Sequence, residues 1–225
     1  MQEGASPEFR SLTVAAFVDR LASSDPVPGG GSASAIAAGL GAGLVAMVAA
    51  LSQDRPRFVD HADLLEWAGR EGRRLADRFL RLADEDAIAY AAFRTAAKLP
   101  KATEADRSAR VAAMRSAARG AADVPLECVR ACLELVSAAE SLAGRSNPNA
   151  SSDLNVAALL AEAAAHGAAA NVIVNLPSLG DEALAGEMRS TVVGLIADIE
   201  QLAAETREIV ERGAERAPIP APGGV

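Results

Sequence analysis

Apolar residues recur along this chain at intervals of three and four, and no stretch alternates apolar with polar as a half-buried strand would. Ser11 to Ala22 reads as a short amphipathic helix with Val14, Phe17, Val18 and Leu21 on one face. A second helix over Ser32 to Gln53 carries a smooth ridge (Ala35, Gly39, Gly43, Ala46) and a bulky one (Ile36, Leu40, Leu44, Met47, Leu51). Both ridges ask for burial, which predicts a central helix or a subunit contact. A long helix follows from Pro56 to Lys98, with a stripe at Leu75, Phe79, Leu82, Asp86, Ala89/Tyr90 and Phe93. Then come Glu104 to Gly120 and Asp123 to Ala143, the latter with Pro125 in its first turn, where proline is tolerated. The run Asn147-Pro148-Asn149-Ala150-Ser151-Ser152-Asp153 opens a helix to Leu176 with Asp153, Ala157, Leu160, Ala164, Asn171 and Asn175 on one face, polar at both ends. Asp181 to Arg212 repeats Met188, Val192, Leu195, Ile199, Leu202 and Ile209 at heptad spacing and ends near Gly213. The expectation is an all-α, single-domain bundle of long antiparallel helices over residues 11–213, dimeric, with flexible termini at 1–10 and 214–225.

Composition sharpens this reading. Half of the 225 residues are apolar, yet only five Phe, one Tyr and one Trp are present, so helices must pack closely through alanine and glycine. The net charge of −8 argues against nonspecific nucleic-acid binding. Ser34 to Leu51 carries no charge over 18 positions, but its small residues and missing aromatic flanks favour a buried helix over a membrane span. Cys128 and Cys132 lie four apart on one helix face, as packing residues in a reducing, cytoplasmic setting. His61 and His166 have no further ligands at metal spacing, so no metal site is expected.

The densest signal is Asp25-Pro26-Val27-Pro28-Gly29-Gly30-Gly31-Ser32 at the head of the second helix. Three glycines free the backbone for positive φ, Ser32 or Ser34 can cap the helix, and the exposed amides there form an anion cradle. Asp86 interrupts an apolar stripe, and a partly desolvated carboxyl has a raised pKa suited to proton transfer. Asp153 sits where a helix dipole favours an acid, with Asn149 or Ser151 as its cap. Arg55 and Arg57, just past the glycine-rich helix, are candidates for an anionic substrate tail. Asp153 and Asn171 lie about 27 Å apart along their helix, too far to serve one reacting atom within one chain.

Three segments together, PVPGGGSASAIAAGLGAGLVAMV, LADEDAIAYAAFRTAAKLPK and NPNASSDLNVAALLAEAAAHGAAANVIVNL, resemble the cyclodeaminase/cyclohydrolase family. That family includes the cyclodeaminase domain of formiminotransferase-cyclodeaminase and stand-alone methenyltetrahydrofolate cyclohydrolases. The likeness spans roughly residues 11 to 210. Where members often carry a Gly-Lys-Lys-type turn after the glycine helix, this chain reads Gln53-Asp54-Arg55-Pro56-Arg57-Phe58 and keeps the charge. The resemblance implies a dimeric, all-helical folate enzyme that binds a one-carbon-substituted tetrahydrofolate near the subunit interface. Its expected reaction is hydrolysis of 5,10-methenyltetrahydrofolate to 10-formyltetrahydrofolate, without cofactor, with Asp86 and Asp153 as acid and base across that interface. Pro28, Gly29, Gly30, Gly31, Ser32, Arg55, Arg57 and Asn149 are the expected substrate-binding residues. Cyclodeamination of 5-formiminotetrahydrofolate with loss of ammonia needs the same groups. A noncatalytic folate-binding or assembly module is the reading in which Asp86 is only ion-paired.

Overall fold

In the computed structural model, which describes residues 8–222, the chain is all helix. Six α-helices follow one another: α1 (Val14–Leu21), α2 (Gly30–Ser52), α3 (Ala62–Ala97), α4 (Glu104–Leu142), α5 (Ser151–Asn175) and α6 (Glu182–Arg212). A 3-10 turn at Phe9–Ser11 precedes α1, and 3-10 segments at Pro56–His61, Pro148–Ala150 and Leu176–Ser178 join later helices. Among the described residues there is no strand.

Small residues set the packing. Gly72 of α3 lies against the α2 backbone, where a Cβ would come within 2.7 Å of the Ala46 nitrogen and 2.8 Å of the Ala42 oxygen. On the opposite side of α2, Gly41 faces the Ala157 carbonyl of α5. The helix α2 therefore runs between α3 and α5, antiparallel to both, at a distance only glycine and alanine permit. Arg78 of α3 reaches Glu127 and Glu134 of α4 at 2.9 and 2.8 Å, and Arg207 of α6 reaches Glu162 of α5 at 2.6 Å. The core is alanine filled in by Leu64, Leu65, Leu75, Phe79, Leu135, Leu142, Leu154 and Ile199, all fully buried. Both α2 and the run Pro148–Ser178 are long and apolar enough to cross a membrane, and both lie half-buried inside this bundle.

Three expectations change. The two helices expected on either side of residue 121 are one, Glu104–Leu142, with Pro125 inside it. Close packing on both flanks carries the chain straight through a residue that would end an isolated helix. The N-terminal 1–10 segment is not free over its described part: Phe9 is buried and its amide donates to Asp84 Oδ1 at 2.7 Å. Nor is the 214–225 segment free at its start. The Arg216 amide donates to the Gly144 carbonyl at 2.9 Å, Arg145 Nε to the Ala217 carbonyl at 2.6 Å, and Arg216 pairs with Glu140. Residues 1–7 and 223–225 lie outside the described residues.

Of the two ridges on α2, the smooth one is packed at Ala35 and Ala46 but bare at Gly43, and the bulky one is half-buried at Ile36 and Leu44 and bare elsewhere. Leu40, Met47 and Leu51 are 60 %, 38 % and 42 % exposed. Gly43 sits among them with nothing within 4 Å of where its Cβ would stand.

Candidate active site

The glycine turn works differently from its sequence-based expectation. None of Gly29, Gly30 and Gly31 has positive φ; Gly29 is extended (φ −123°, ψ −161°) and helix α2 begins at Gly30. Neither serine caps the helix. The Ser34 hydroxyl bonds back to the Gly30 carbonyl at 2.8 Å, and Ser32, in the first turn, is fully buried. What the motif supplies is room. A Cβ on Gly31 would overlap both oxygens of the Asp86 carboxylate from α3, so that carboxylate occupies the space a side chain would fill. At Gly30 a Cβ would meet only Asn171 Nδ2, at an ordinary 3.6 Å.

Asp86 is thus wedged against the N-terminus of α2. Leu75, Phe79 and Leu82 of its stripe are buried, and the stripe opens to half-buried Asp86 and Phe93 and exposed Tyr90. Burial pushes the Asp86 carboxyl above its ordinary value, while the hydroxyl and main-chain amide of Ser32 pull it back by favouring the charged form. The Ser32 Oγ stands 2.9 Å from Asp86 Oδ2 and 3.0 Å from the Ala83 carbonyl. One hydroxyl proton serves both protonation states. Toward an ionised Asp86, Ser32 donates; toward a protonated Asp86, it accepts and turns its own proton to Ala83. Asp86 can therefore take up and give back a proton without losing its partner.

A cavity of about 260 Å³ opens beside this carboxylate, lined by Pro26, Val27, Gly29 to Gly31, Tyr90, Phe93, Ala121, Asn171 and Asn175. Two polar residues of α5 enter it. Asn171 Nδ2 donates to the Gly167 carbonyl at 2.8 Å, and Asn175 Nδ2 donates to the carbonyls of Asn171 and Ala121 at 2.8 and 2.9 Å. The sequence marks the polar end of this helix face and the stripe through Tyr90 and Phe93. It does not bring them together with Asp86, since that meeting depends on the antiparallel order of α3, α2 and α5.

The remaining expected site residues gather at the other end of the bundle, about 33 Å away along the 23 residues of α2. Arg55 lines an open cleft with Gln53, Pro56, Val59 and Glu66. Arg57 pairs with Glu215 and lines a small cavity with His61, Ser146 and Ser151. Asn149 is exposed in the turn before α5; Asn147, not Asn149, caps that turn. Asp153 is half-buried in the first turn of α5. The amide of Asn147 donates to the Ser52 hydroxyl at 2.8 Å, which fixes the end of α2 beside the start of α5. Pro28 is buried behind the glycine turn. Among the described residues no three His, Cys, Asp or Glu side chains converge as metal ligands would, and His166 faces Glu200 at 3.0 Å.

Comparison with known proteins adds the following. Residues 13–193 match the family model described as formiminotransferase-cyclodeaminase. A methenyltetrahydrofolate cyclohydrolase of Methylorubrum extorquens is 39 % identical over 186 residues, covering 83 % of this chain and 89 % of that protein. Formimidoyltransferase-cyclodeaminases of Gallus gallus and Rattus norvegicus are 32 % and 34 % identical and cover 88 % and 89 % of this chain. The chain spans only 36 % and 37 % of those two proteins. Among solved structures, a formiminotetrahydrofolate cyclodeaminase from Thermotoga maritima superimposes with a TM-score of 0.82 at 25 % identity, over 90 % of this chain and 98 % of that one.

Proposed function

The chain belongs to the formiminotransferase-cyclodeaminase family, and from that membership we propose that it is a folate one-carbon enzyme that hydrolyses 5,10-methenyltetrahydrofolate to 10-formyltetrahydrofolate. The observation that carries this is Asp86, a carboxylate kept half-dry at the wall of a cavity, with a raised pKa and a partner in both protonation states. The cyclohydrolase relative is matched over nearly its whole length, whereas the bifunctional relatives are matched over about a third of theirs.

The chemistry needs one group that accepts and returns a proton. In methenyltetrahydrofolate the carbon bridging N5 and N10 is a cationic, amidinium-like electrophile. Asp86 removes a proton from water as its oxygen attacks that carbon. The tetrahedral adduct then collapses: the N5–C bond breaks, Asp86 returns its proton to N5, and the adduct hydroxyl loses its proton as it becomes the formyl carbonyl on N10. One water is consumed and one proton released. Neither step asks for a metal or nucleotide. Phe93, Val27 and Pro26 supply apolar walls for a flat ring.

A cavity of about 260 Å³ falls short of a drug-sized ligand's usual site, so the rest of a folate must lie outside it. A second copy of the chain is the partner that fits. Gly43 destabilises α2 by about 1 kcal/mol relative to alanine, yet within the chain it faces nothing. An antiparallel crossing of two α2 helices at Gly43 would cover Leu40, Met47 and Leu51 on both. Gly30 lies about 20 Å from Gly43 along the axis, and Ser52, three residues before Arg55, about 14 Å the other way. A two-fold axis at Gly43 therefore brings Arg55, Arg57, Asn149 and Asp153 of the partner subunit toward the Asp86 cavity. This homodimer supplies the cationic groups for a folate tail and Asp153 of the partner subunit as the second acid–base group. Free, buried Cys128 and Cys132 are in keeping with a cytoplasmic enzyme, and the net charge of −8 with neither nucleic acid nor an anionic membrane as partner.

The purified protein is tested with methenyltetrahydrofolate, following loss of the methenyl chromophore, and with 5-formiminotetrahydrofolate, following ammonia. Hydrolysis abolished by Asp86→Asn supports the reading. Ammonia release without hydrolysis makes the protein a cyclodeaminase, and turnover of neither refutes it.

A further inference from the structure

Pro125 stands in the middle of α4, a 39-residue helix whose regular pattern would join the amide of residue 125 to the carbonyl of Ala121. Proline has no amide hydrogen, so this carbonyl loses its helical partner. It does not go unsatisfied: Asn175 Nδ2, from the last turn of α5, donates to it at 2.9 Å. The second hydrogen of the same amide goes to the Asn171 carbonyl at 2.8 Å. Both N–H bonds of Asn175 are thereby committed to carbonyls. The reverse orientation would set Oδ1 against two carbonyl oxygens, so the amide has one orientation only. Its Oδ1 has no hydrogen-bond donor among the described residues and belongs to a residue lining the cavity that Asp86 lines.

Resting on the hydrolytic reading above, we propose that Asn175, fixed by the carbonyl that Pro125 leaves free, orients the attacking water together with Asp86. A water aims a lone pair at an electrophile when both of its hydrogens are donated elsewhere. Asp86 Oδ2 takes the Ser32 hydroxyl, and the carboxylate keeps further lone pairs with which to take the proton that is removed. Asn175 Oδ1 accepts the other hydrogen, a neutral acceptor that holds the water without competing for its proton. A proline inside a helix then has a use: it trades a backbone bond of α4 for a locked side chain in the site. An asparagine reading the substrate's own N–H groups would instead govern affinity.

Asn175→Leu and Pro125→Ala separate these roles in the full-length protein. With methenyltetrahydrofolate as substrate, Asn175→Leu is expected to lose about 10- to 100-fold in kcat while KM and tetrahydrofolate affinity stay within about threefold. Pro125→Ala restores a helical amide to Ala121, so its Tm is expected to hold or rise while kcat falls with KM unchanged. Opposite signs in stability and turnover are a result that a structural role for Pro125 does not give. A loss confined to KM and folate affinity in Asn175→Leu overturns the proposal, as does wild-type kcat in that variant. Should Asn175→Leu fail to fold, wild-type kcat in a stable Pro125→Ala protein overturns it. Failure of the wild-type protein to hydrolyse methenyltetrahydrofolate at all is a separate outcome and refutes the underlying reading.

Discussion

Gly30→Ala and Gly31→Ala place the same methyl group one residue apart, and the structure assigns them opposite consequences. Both positions lie in the first turn of α2 with helical backbone, so each alanine gains about 1 kcal/mol of helix propensity over glycine. At residue 30 the new Cβ stands 3.6 Å from Asn171 Nδ2, an ordinary contact, and the gain survives. At residue 31 it coincides with the Asp86 carboxylate, which must move by the better part of an ångström or more. Overpacking of this kind destabilises by about 1–3 kcal/mol, so the net change in stability lies between roughly zero and −2 kcal/mol. The effect on turnover is larger, because a displaced carboxylate no longer bonds Ser32 or meets the water. Misplacement by 1 Å costs about 10²-fold. Thermal unfolding and methenyltetrahydrofolate hydrolysis of the two variants side by side give the answer. Gly30→Ala should be as stable as the parent or more so and keep at least a substantial fraction of its activity. Gly31→Ala should fold and lose about 10²-fold in kcat. A fully active Gly31→Ala protein would show that the Asp86 carboxylate need not stand where it does, and would remove it from the mechanism.

Asp86→Asn should fold and lose about 10²-fold or more in kcat, and it should also gain stability. Because burial raises the Asp86 pKa in the folded protein, the native state holds a proton more tightly than the unfolded chain. Wild-type stability therefore falls as pH rises from near 4 through that raised value and is level above it; the variant escapes this loss, so its Tm should exceed wild type at pH 7 and match it below pH 4. A lower Tm at pH 7 would contradict the desolvated carboxylate. Ser32→Ala removes a bond that favours ionised Asp86, so the acid limb of the kcat/KM profile should move to higher pH; an unmoved limb would assign that limb to another group. Leu40→Glu with Met47→Glu should give a folded but inactive monomer by light scattering and circular dichroism, and a fully active monomer would refute the shared site.

Periodicity made the helices legible because nearly all of them have a stripe facing one neighbour, as α3 does with Leu75, Phe79 and Leu82. It failed at Pro125 and at the tail. A proline is a local signal, and the packing that holds α4 together across it comes from residues fifty positions away, such as Asn175. The turn at Arg216 is held by the Gly144 carbonyl and by Glu140, farther away still in sequence. The partial drying of Asp86 was legible, because a carboxylate in register with Phe79 and Leu82 comes to lie half-buried. The neighbours of that carboxylate were not. Asn171 and Asn175 are ordinary polar residues on their own helix, and only the antiparallel stacking of α3, α2 and α5 brings them to the same cavity. The opposite error concerns the glycines, where the sequence suggests conformational freedom and the structure uses the missing side chain of Gly31.

That substitution of roles shows how an alanine-rich bundle with few polar residues would sustain the proposed acid–base chemistry. The positive end of α2 was expected to hold a ligand's negative charge; the Ser32 amide and hydroxyl hold the protein's own Asp86. Burial alone would drive the carboxyl toward a permanently protonated acid, unable to accept a proton from water. A helix N-terminus alone would drive it toward a permanently ionised base, unable to protonate N5. Set against each other at one carboxylate, the two leave Asp86 raised but still pulled toward ionisation, the condition under which one group both takes and returns a proton in a catalytic cycle. Only a glycine at position 31 lets α3 bring the carboxylate close enough to α2 for the second influence to act. The small residues that make the bundle tight are thus also what sets the proton affinity of Asp86, its proposed acid–base group.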